Sequence, residues 1–137
     1  MHHVLLCDDE MHILRAAQIK LSRSGYEVTC AQDGQEAWEL IQVRRPDILV
    51  TDLQMPRMDG LELSRRVREY APTQSLPILV LSAKGFEPAH RDTAAKYGVL
   101  AFLPKPFSPR ELVRCIENVL STGSVGATHL ALGAEAG

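Results

Sequence analysis

A chain of 137 residues with 45% hydrophobic and 23% charged side chains has the size and mixture of one globular domain, which excludes a second catalytic domain. Fifteen Lys and Arg against 17 Asp and Glu leave a net charge of -2, and no basic run offers an electrostatic footprint for direct nucleic-acid binding. Cys7, Cys30 and Cys115 lack the C-x-x-C spacing of a zinc or redox site and are expected to be reduced, buried fillers. No stretch reaches the roughly 18 apolar residues of a membrane span, and acids from position 8 argue against a secretory leader. A cytoplasmic protein is therefore expected.

Val4-Leu5-Leu6-Cys7 is a short apolar run that predicts a strand, with His2 and His3 as its polar start. From Met11 to Ser24, Ile13, Leu14, Ala17 and Leu21 recur at helical spacing, and Gly25 ends that helix. Tyr26 to Ala31 alternates as a second strand, and Asp33-Gly34 turns into a helix from about Gln35 to Arg44 that buries Ala37, Trp38, Leu40 and Ile41. Pro46 breaks that helix, Ile48-Leu49-Val50 is a third strand, and after Pro56 and Gly60 a third helix runs through Leu61, Leu63 and Val67. Gly60 is expected at positive φ. Ile78-Leu79-Val80-Leu81 is a fourth strand, followed by a helix from about Glu87 to Tyr97 closed by Gly98. Leu100-Ala101-Phe102-Leu103 is a fifth, and Ser108-Pro109-x-Glu111 is a capping box that opens a last helix through Leu112, Val113, Ile116 and Leu120.

Short, almost wholly apolar strands alternating with helices require crossover connections, so the sheet is parallel and covered on both faces. The fold class is doubly wound α/β with five strands. Residues 1–121 form the domain. Residues 122–137, rich in Gly, Ala, Ser and Thr, read as a flexible tail, either a linker to a further domain or a natural end.

In such sheets ligands bind beyond the carboxyl ends of the strands, where the winding reverses. Strand one ends in Asp8-Asp9-Glu10, strand three in Asp52, strand four in Ser82, and strand five in a turn carrying Lys105. Each alone reads as a turn former, a helix cap or a solvated lysine. Together they place carboxylates, a hydroxyl and a cation on one rim. Such a carboxylate cluster calls for a hard divalent cation such as Mg²⁺. The set suits phosphoryl transfer, with Asp52 as nucleophile, Mg²⁺ on Asp9 and Asp52, Asp8 acting through water, and Lys105 and Ser82 on the remaining phosphoryl oxygens.

Asp8-Asp9, Asp52-Leu53-Gln54-Met55-Pro56-Arg57-Met58-Asp59-Gly60, Ser82-Ala83 and Lys105-Pro106-Phe107 together resemble the signature of response-regulator receiver domains, over about residues 3–120. The resemblance implies the flavodoxin-like strand order 2-1-3-4-5, for which the chemotaxis member of that family is a standard example. It also implies a phosphoryl donor, a phosphohistidine on a sensor histidine kinase or a phosphotransfer protein, with small acyl phosphates as substitutes. The backbone carbonyl of Gln54 would complete the metal shell. Ser82 and Phe102 would form a switch pair, although Phe102 is equally readable as a core aromatic. Lys105-Pro106 resembles a site at which the family holds a cis peptide bond. The surface of helix four, strand five and helix five would serve dimerisation or effector contact, and the start of helix one, Met11 to Ile13, kinase docking. On this reading the chain is a phosphoacceptor signalling domain rather than an enzyme.

Two other readings compete. A Mg²⁺-dependent phosphohydrolase would also use an aspartyl nucleophile, but Gln54 stands where a general acid is needed and the length leaves no room for a cap domain. A nucleotide or flavin carrier would need a Gly-rich phosphate loop after strand one, where the acidic Asp8-Asp9-Glu10 turn stands instead.

Overall fold

The apolar runs form the five strands of one parallel sheet: β1 (His3–Cys7), β2 (Glu27–Ala31), β3 (Ile48–Asp52), β4 (Ile78–Ser82) and β5 (Ala101–Pro104). Between and after them lie α1 (Met11–Arg23), α2 (Gly34–Val43), α3 (Gly60–Glu69), α4 (Pro88–Lys96) and α5 (Pro109–Thr122). This computed structural model describes residues 1–82 and 88–122. The expected start of the fourth helix at Glu87, Ala83 of the quoted signature and the expected tail beyond Thr122 lie outside the described residues.

The strand order is β2-β1-β3-β4-β5 with every pairing parallel, as the resemblance implies. β1, β3 and β4 are buried along their whole length because helices cover both faces. One core gathers Leu5, Leu49, Val80 and Phe102 from the sheet with Ala37, Ile41, Leu63 and Val67 from α2 and α3. The other packs Leu6, Val50, Leu79 and Leu81 against Leu14, Ala17 and Leu21 of α1 and Leu112, Ile116 and Val119 of α5. The alternation of inward positions along each strand thus feeds two cores, one per face.

Local signals act largely as expected. Asp33 and Asp59 cap α2 and α3, each accepting the backbone N–H three residues on at 2.8 Å. Ser108 and Glu111 form the reciprocal box that opens α5: the Glu111 N–H donates to Ser108 Oγ (3.1 Å) and the Ser108 N–H to Glu111 Oε1 (2.9 Å). Gly25 (φ 96°) and Gly98 (φ 68°) stand just beyond α1 and α4 in the left-handed region.

Two expectations, those for Gly60 and for the cysteines, need correction. Gly60 is not among the positive-φ residues; Arg57 holds that conformation in the loop (φ 67°), and Gly60 begins α3 hard against β3. β3 ends at Asp52, as expected, with Thr51 and Asp52 both buried and paired with β4. A 3-10 turn at Ala71–Thr73 follows α3, fixed by the Thr73 hydroxyl donating to the Val67 carbonyl at 2.7 Å. Cys7 is buried, but Cys30 and Cys115 are only half-buried; all three are free. Among the described residues no helix is long and apolar enough to cross a membrane.

Candidate functional site

The winding reverses between β1 and β3, which are neighbours in the sheet although a whole strand separates them in sequence. Asp8 follows directly on β1, Asp52 is the last residue of β3, and Ser82 is the last of β4, one step past the partner of Asp52. Lys105 follows directly on β5 and its backbone N–H donates to the Ser82 carbonyl at 2.8 Å, which ties the β5 turn to the end of β4. The Lys105-Pro106 bond is cis.

The Lys105 ammonium is the centre of this rim. Its Nζ lies 2.8 Å from Asp8 Oδ2, 2.9 Å from Glu10 Oε1 and 3.4 Å from Asp52 Oδ2. The Asp8 contact is an ion pair, and among the described residues Oδ2 has no hydrogen-bond partner. Asp8 Oδ1 accepts the Glu10 N–H at 2.9 Å, and Asp52 Oδ1 accepts the Leu53 N–H at 2.9 Å. Asp8 is fully buried and Asp52 is 5% exposed, whereas the Glu10 side chain is 44% exposed.

Burial sets the electrostatics. It raises the Asp52 carboxyl to about 6, with the neighbouring Asp8 charge adding to the rise and Lys105 opposing it. Burial raises Asp8 too, against the pull of Lys105. For Lys105 burial works downward, but its bonds to Asp8 and Glu10 prevail and hold the ammonium well above the usual lysine range. Glu10 is lowered by its hydrogen bond from Lys105.

Ligand oxygens of Asp8, Glu10 and Asp52 all lie within 4.8 Å of one another. Three carboxylates against one ammonium leave an excess of negative charge, and an all-oxygen donor set suits a hard divalent ion such as Mg²⁺. The residues therefore fit the metal that the sequence implies.

Of the residues singled out from sequence, the structure brings Asp8, Asp52 and Lys105 into contact and buries Ser82 (2% exposed) at the same sheet end. Asp9 is exposed and lies outside the trio, as does the exposed side chain of Gln54. Phe102 is 2% exposed on the adjacent strand, paired with Val80 two residues before Ser82. Glu10 is the residue that sequence reasoning passed over. The chain bends at Asp9, where the Glu10 N–H donates to Asp8 Oδ1, and this turn brings both carboxylates to Lys105. At the rim, Arg57 Nη2 donates to both carboxylate oxygens of Asp33 at 2.9 Å, which fastens the β3–α3 loop to the α2 cap.

A family model described as response regulator receiver domain matches residues 4–117. The alkaline phosphatase synthesis transcriptional regulatory protein PhoP of Bacillus subtilis is 35% identical over 124 residues, covering 90% of this chain and 50% of that protein. The phosphate regulon transcriptional regulatory protein PhoB of Pseudomonas aeruginosa is 37% identical over 117 residues, covering 85% of this chain and 51% of that protein. The chain thus spans about half the length of the curated relatives it matches. Among solved structures, the chemotaxis response regulator CheY4 of Vibrio cholerae superposes with a TM-score of 0.81 at 34% identity, over 87% of this chain and 98% of that one. The Francisella response regulator 1452 receiver domain gives 0.80 at 30% identity, over 90% and 100%. Fold, strand-end chemistry and these likenesses agree: the chain belongs to the response regulator receiver domains, the phosphoacceptor signalling modules of two-component systems.

Proposed function

We propose that Asp52 is the phosphoacceptor. A carboxylate oxygen attacks the phosphorus of a phosphohistidine on a sensor histidine kinase or phosphotransfer protein; the new P–O bond forms as the P–N bond breaks, and the departing imidazole takes up a proton. The observation that carries this reading is the position of Asp52, almost buried at the end of β3 with the Lys105 ammonium 3.4 Å from Oδ2.

Asp8 and Asp52, with Asp9 turning in from the surface and the main-chain carbonyl of Gln54, would hold Mg²⁺. When bound, the ion supplies neutralising charge for the transferred oxygens. Lys105 and the Ser82 hydroxyl take the other phosphoryl oxygens. Movement of Ser82 toward the new group lets Phe102 repack, which biases a two-state equilibrium read by an output domain or partner. Kinase docking is assigned to the start of α1, around Met11 to Ile13, and homodimer or effector contact to the α4, β5 and α5 surface. The setting is the cytoplasm, and with a net charge of -2 the chain itself does not bind nucleic acid.

An aspartyl phosphohydrolase is not favoured, because Gln54 supplies no acid two residues after the nucleophile. The test is intact-mass analysis after incubation with acetyl phosphate. One phosphoryl adduct is expected, absent in Asp52→Asn and absent when Mg²⁺ is chelated; an adduct that survives in Asp52→Asn removes Asp52 from the role.

A further inference from the structure

A phosphoryl group on Asp52 must recruit Lys105, yet all three nearby acceptors already hold its ammonium: Asp8 at 2.8 Å, Glu10 at 2.9 Å and Asp52 at 3.4 Å. Of these contacts the one to Glu10 is the hydrogen bond, so turning the ammonium onto a new phosphoryl oxygen competes first with Glu10. The three are unequal. Asp8 is fully buried and, among the described residues, its Oδ2 has no partner besides Lys105, so releasing it would strand a charged oxygen away from water. Asp52 is the residue that carries the new group. Glu10 differs from both, because its side chain is 44% exposed and water replaces Lys105 at its carboxylate with little penalty.

The way Glu10 is mounted supports the same division. Its backbone N–H is fixed to Asp8 Oδ1 at 2.9 Å, so the turn hangs its side chain over Lys105, while the carboxylate stays on the solvent side. Glu10 is the N-cap residue of α1, but its side chain makes no cap hydrogen bond. The carboxylate is committed to Lys105 where a cap would have used it on the helix.

We infer that Glu10 is a releasable latch on Lys105, a positioning residue that holds the ammonium over the site before phosphorylation and yields it to the phosphoryl oxygen afterward. This rests on the reading of Asp52 as acceptor. Its consequence is that Glu10 opposes the phosphorylated state by the strength of one half-exposed ion pair, and so tunes how readily the domain is activated.

The test is the affinity for beryllofluoride, a phosphoryl analogue, measured by NMR titration at Mg²⁺ concentrations that saturate each variant. Two substitutions separate contact from charge. Glu10→Ala removes both. Glu10→Asp keeps the charge but stops a methylene short of Lys105, and an aspartate at an N-cap turns to the helix N–H groups instead. A latch predicts analogue binding about two- to fivefold tighter in both variants, the range expected for losing one half-exposed ion pair. Tightening in Glu10→Ala alone would mean simple repulsion between charges and overturn the latch. Unchanged or weaker binding in either variant overturns it too. If the native protein binds no analogue, it is the acceptor reading that fails, and the latch falls with it.

Discussion

Gly60 stands so close to Asp52 that a β-carbon at position 60 would lie 2.3 Å from the Asp52 carbonyl oxygen. The approach is fixed by a hydrogen bond from the Gly60 N–H to the Leu53 carbonyl at 2.8 Å, so the first turn of α3 is seated directly on the end of β3. The end of the strand that carries Asp52 is thereby held in place by a residue with no side chain.

Gly60→Ala must push that backbone apart, since a carbonyl in a paired strand cannot swing aside. A loss of about 2–3 kcal/mol in urea unfolding is expected, together with weaker Mg²⁺ binding because the end of β3 moves. Gly25→Ala is the control. It sits at φ 96° with open space around it, so it should lose about 1 kcal/mol and leave Mg²⁺ binding unchanged. Equal Mg²⁺ affinity in Gly60→Ala would show that the contact does not position the site.

The contrast between these two glycines marks where sequence was sufficient. Gly25, one residue past a periodic helix, could be read as a helix stop from local spacing alone. Gly60 could be noticed as a glycine, but its reason is a tertiary approach to Asp52 that no local pattern encodes, and the expectation of positive φ failed for that cause. Apolar runs and caps such as Ser108 with Glu111 identified the elements, because burial on both sheet faces leaves no other place for such strands. Strand order came from the resemblance rather than from any residue. Asp8, Asp52 and Lys105 were legible because each stands at the end of a strand. Glu10 was overshadowed by the neighbouring pair of aspartates, because what brings it to Lys105 is the turn in which Asp8 accepts its N–H and not a strand pattern.

Asp52→Asn should stabilise the metal-free protein. The folded Asp52 carboxyl titrates at about 6, against 3.8 for an ordinary aspartate, because of burial and the Asp8 charge. Between about pH 4 and 6 the folded state therefore holds a proton that the unfolded chain has released, and stability falls as pH rises through that window. Asparagine has no charge to bury. In chelator at pH 7.5 the variant should melt above the native protein by at most about 3 kcal/mol, with the gap closing toward pH 4. Adding Mg²⁺ should raise the native melting temperature and not that of the variant. A variant that melts lower at every pH would contradict this electrostatic account.

Lys105→Met has the opposite sign. It leaves Asp8, Glu10 and Asp52 facing one another without their cation, and Asp8 Oδ2 without its one contact among the described residues. A loss of about 3 kcal/mol is expected at pH 8, where both buried carboxylates must be charged. With the cation gone their pKa values rise further, so the deficit should shrink by pH 5 as they take up protons. Urea unfolding at the two pH values measures this directly; a deficit independent of pH would point to lost packing of the lysine stem instead.

The last expectation concerns Arg68, which has no acidic partner in these contacts and instead binds four backbone carbonyls. Nε donates to Tyr97 O at 2.7 Å and Nη2 to Gly98 O at 3.2 Å, while Nη1 reaches Gln74 O at 3.0 Å and Thr73 O at 3.3 Å. Two of these acceptors lie at the end of α4, where carbonyls have no donor within the helix, and two lie in the turn after α3. One guanidinium thus joins the end of α4 to the segment leading into β4. Arg68→Met keeps the apolar stem but removes all five N–H donors. It should lose about 2–3 kcal/mol and speed hydrogen exchange at the amides of Tyr97, Gly98 and Val99, which bond back into α4. Arg68→Lys should recover only part of that protection, because a single ammonium cannot span both carbonyl pairs. Mg²⁺ affinity should remain native in both, since none of the four acceptors belongs to the acidic cluster. Unchanged exchange in Arg68→Met would show that helix and turn hold together without the guanidinium.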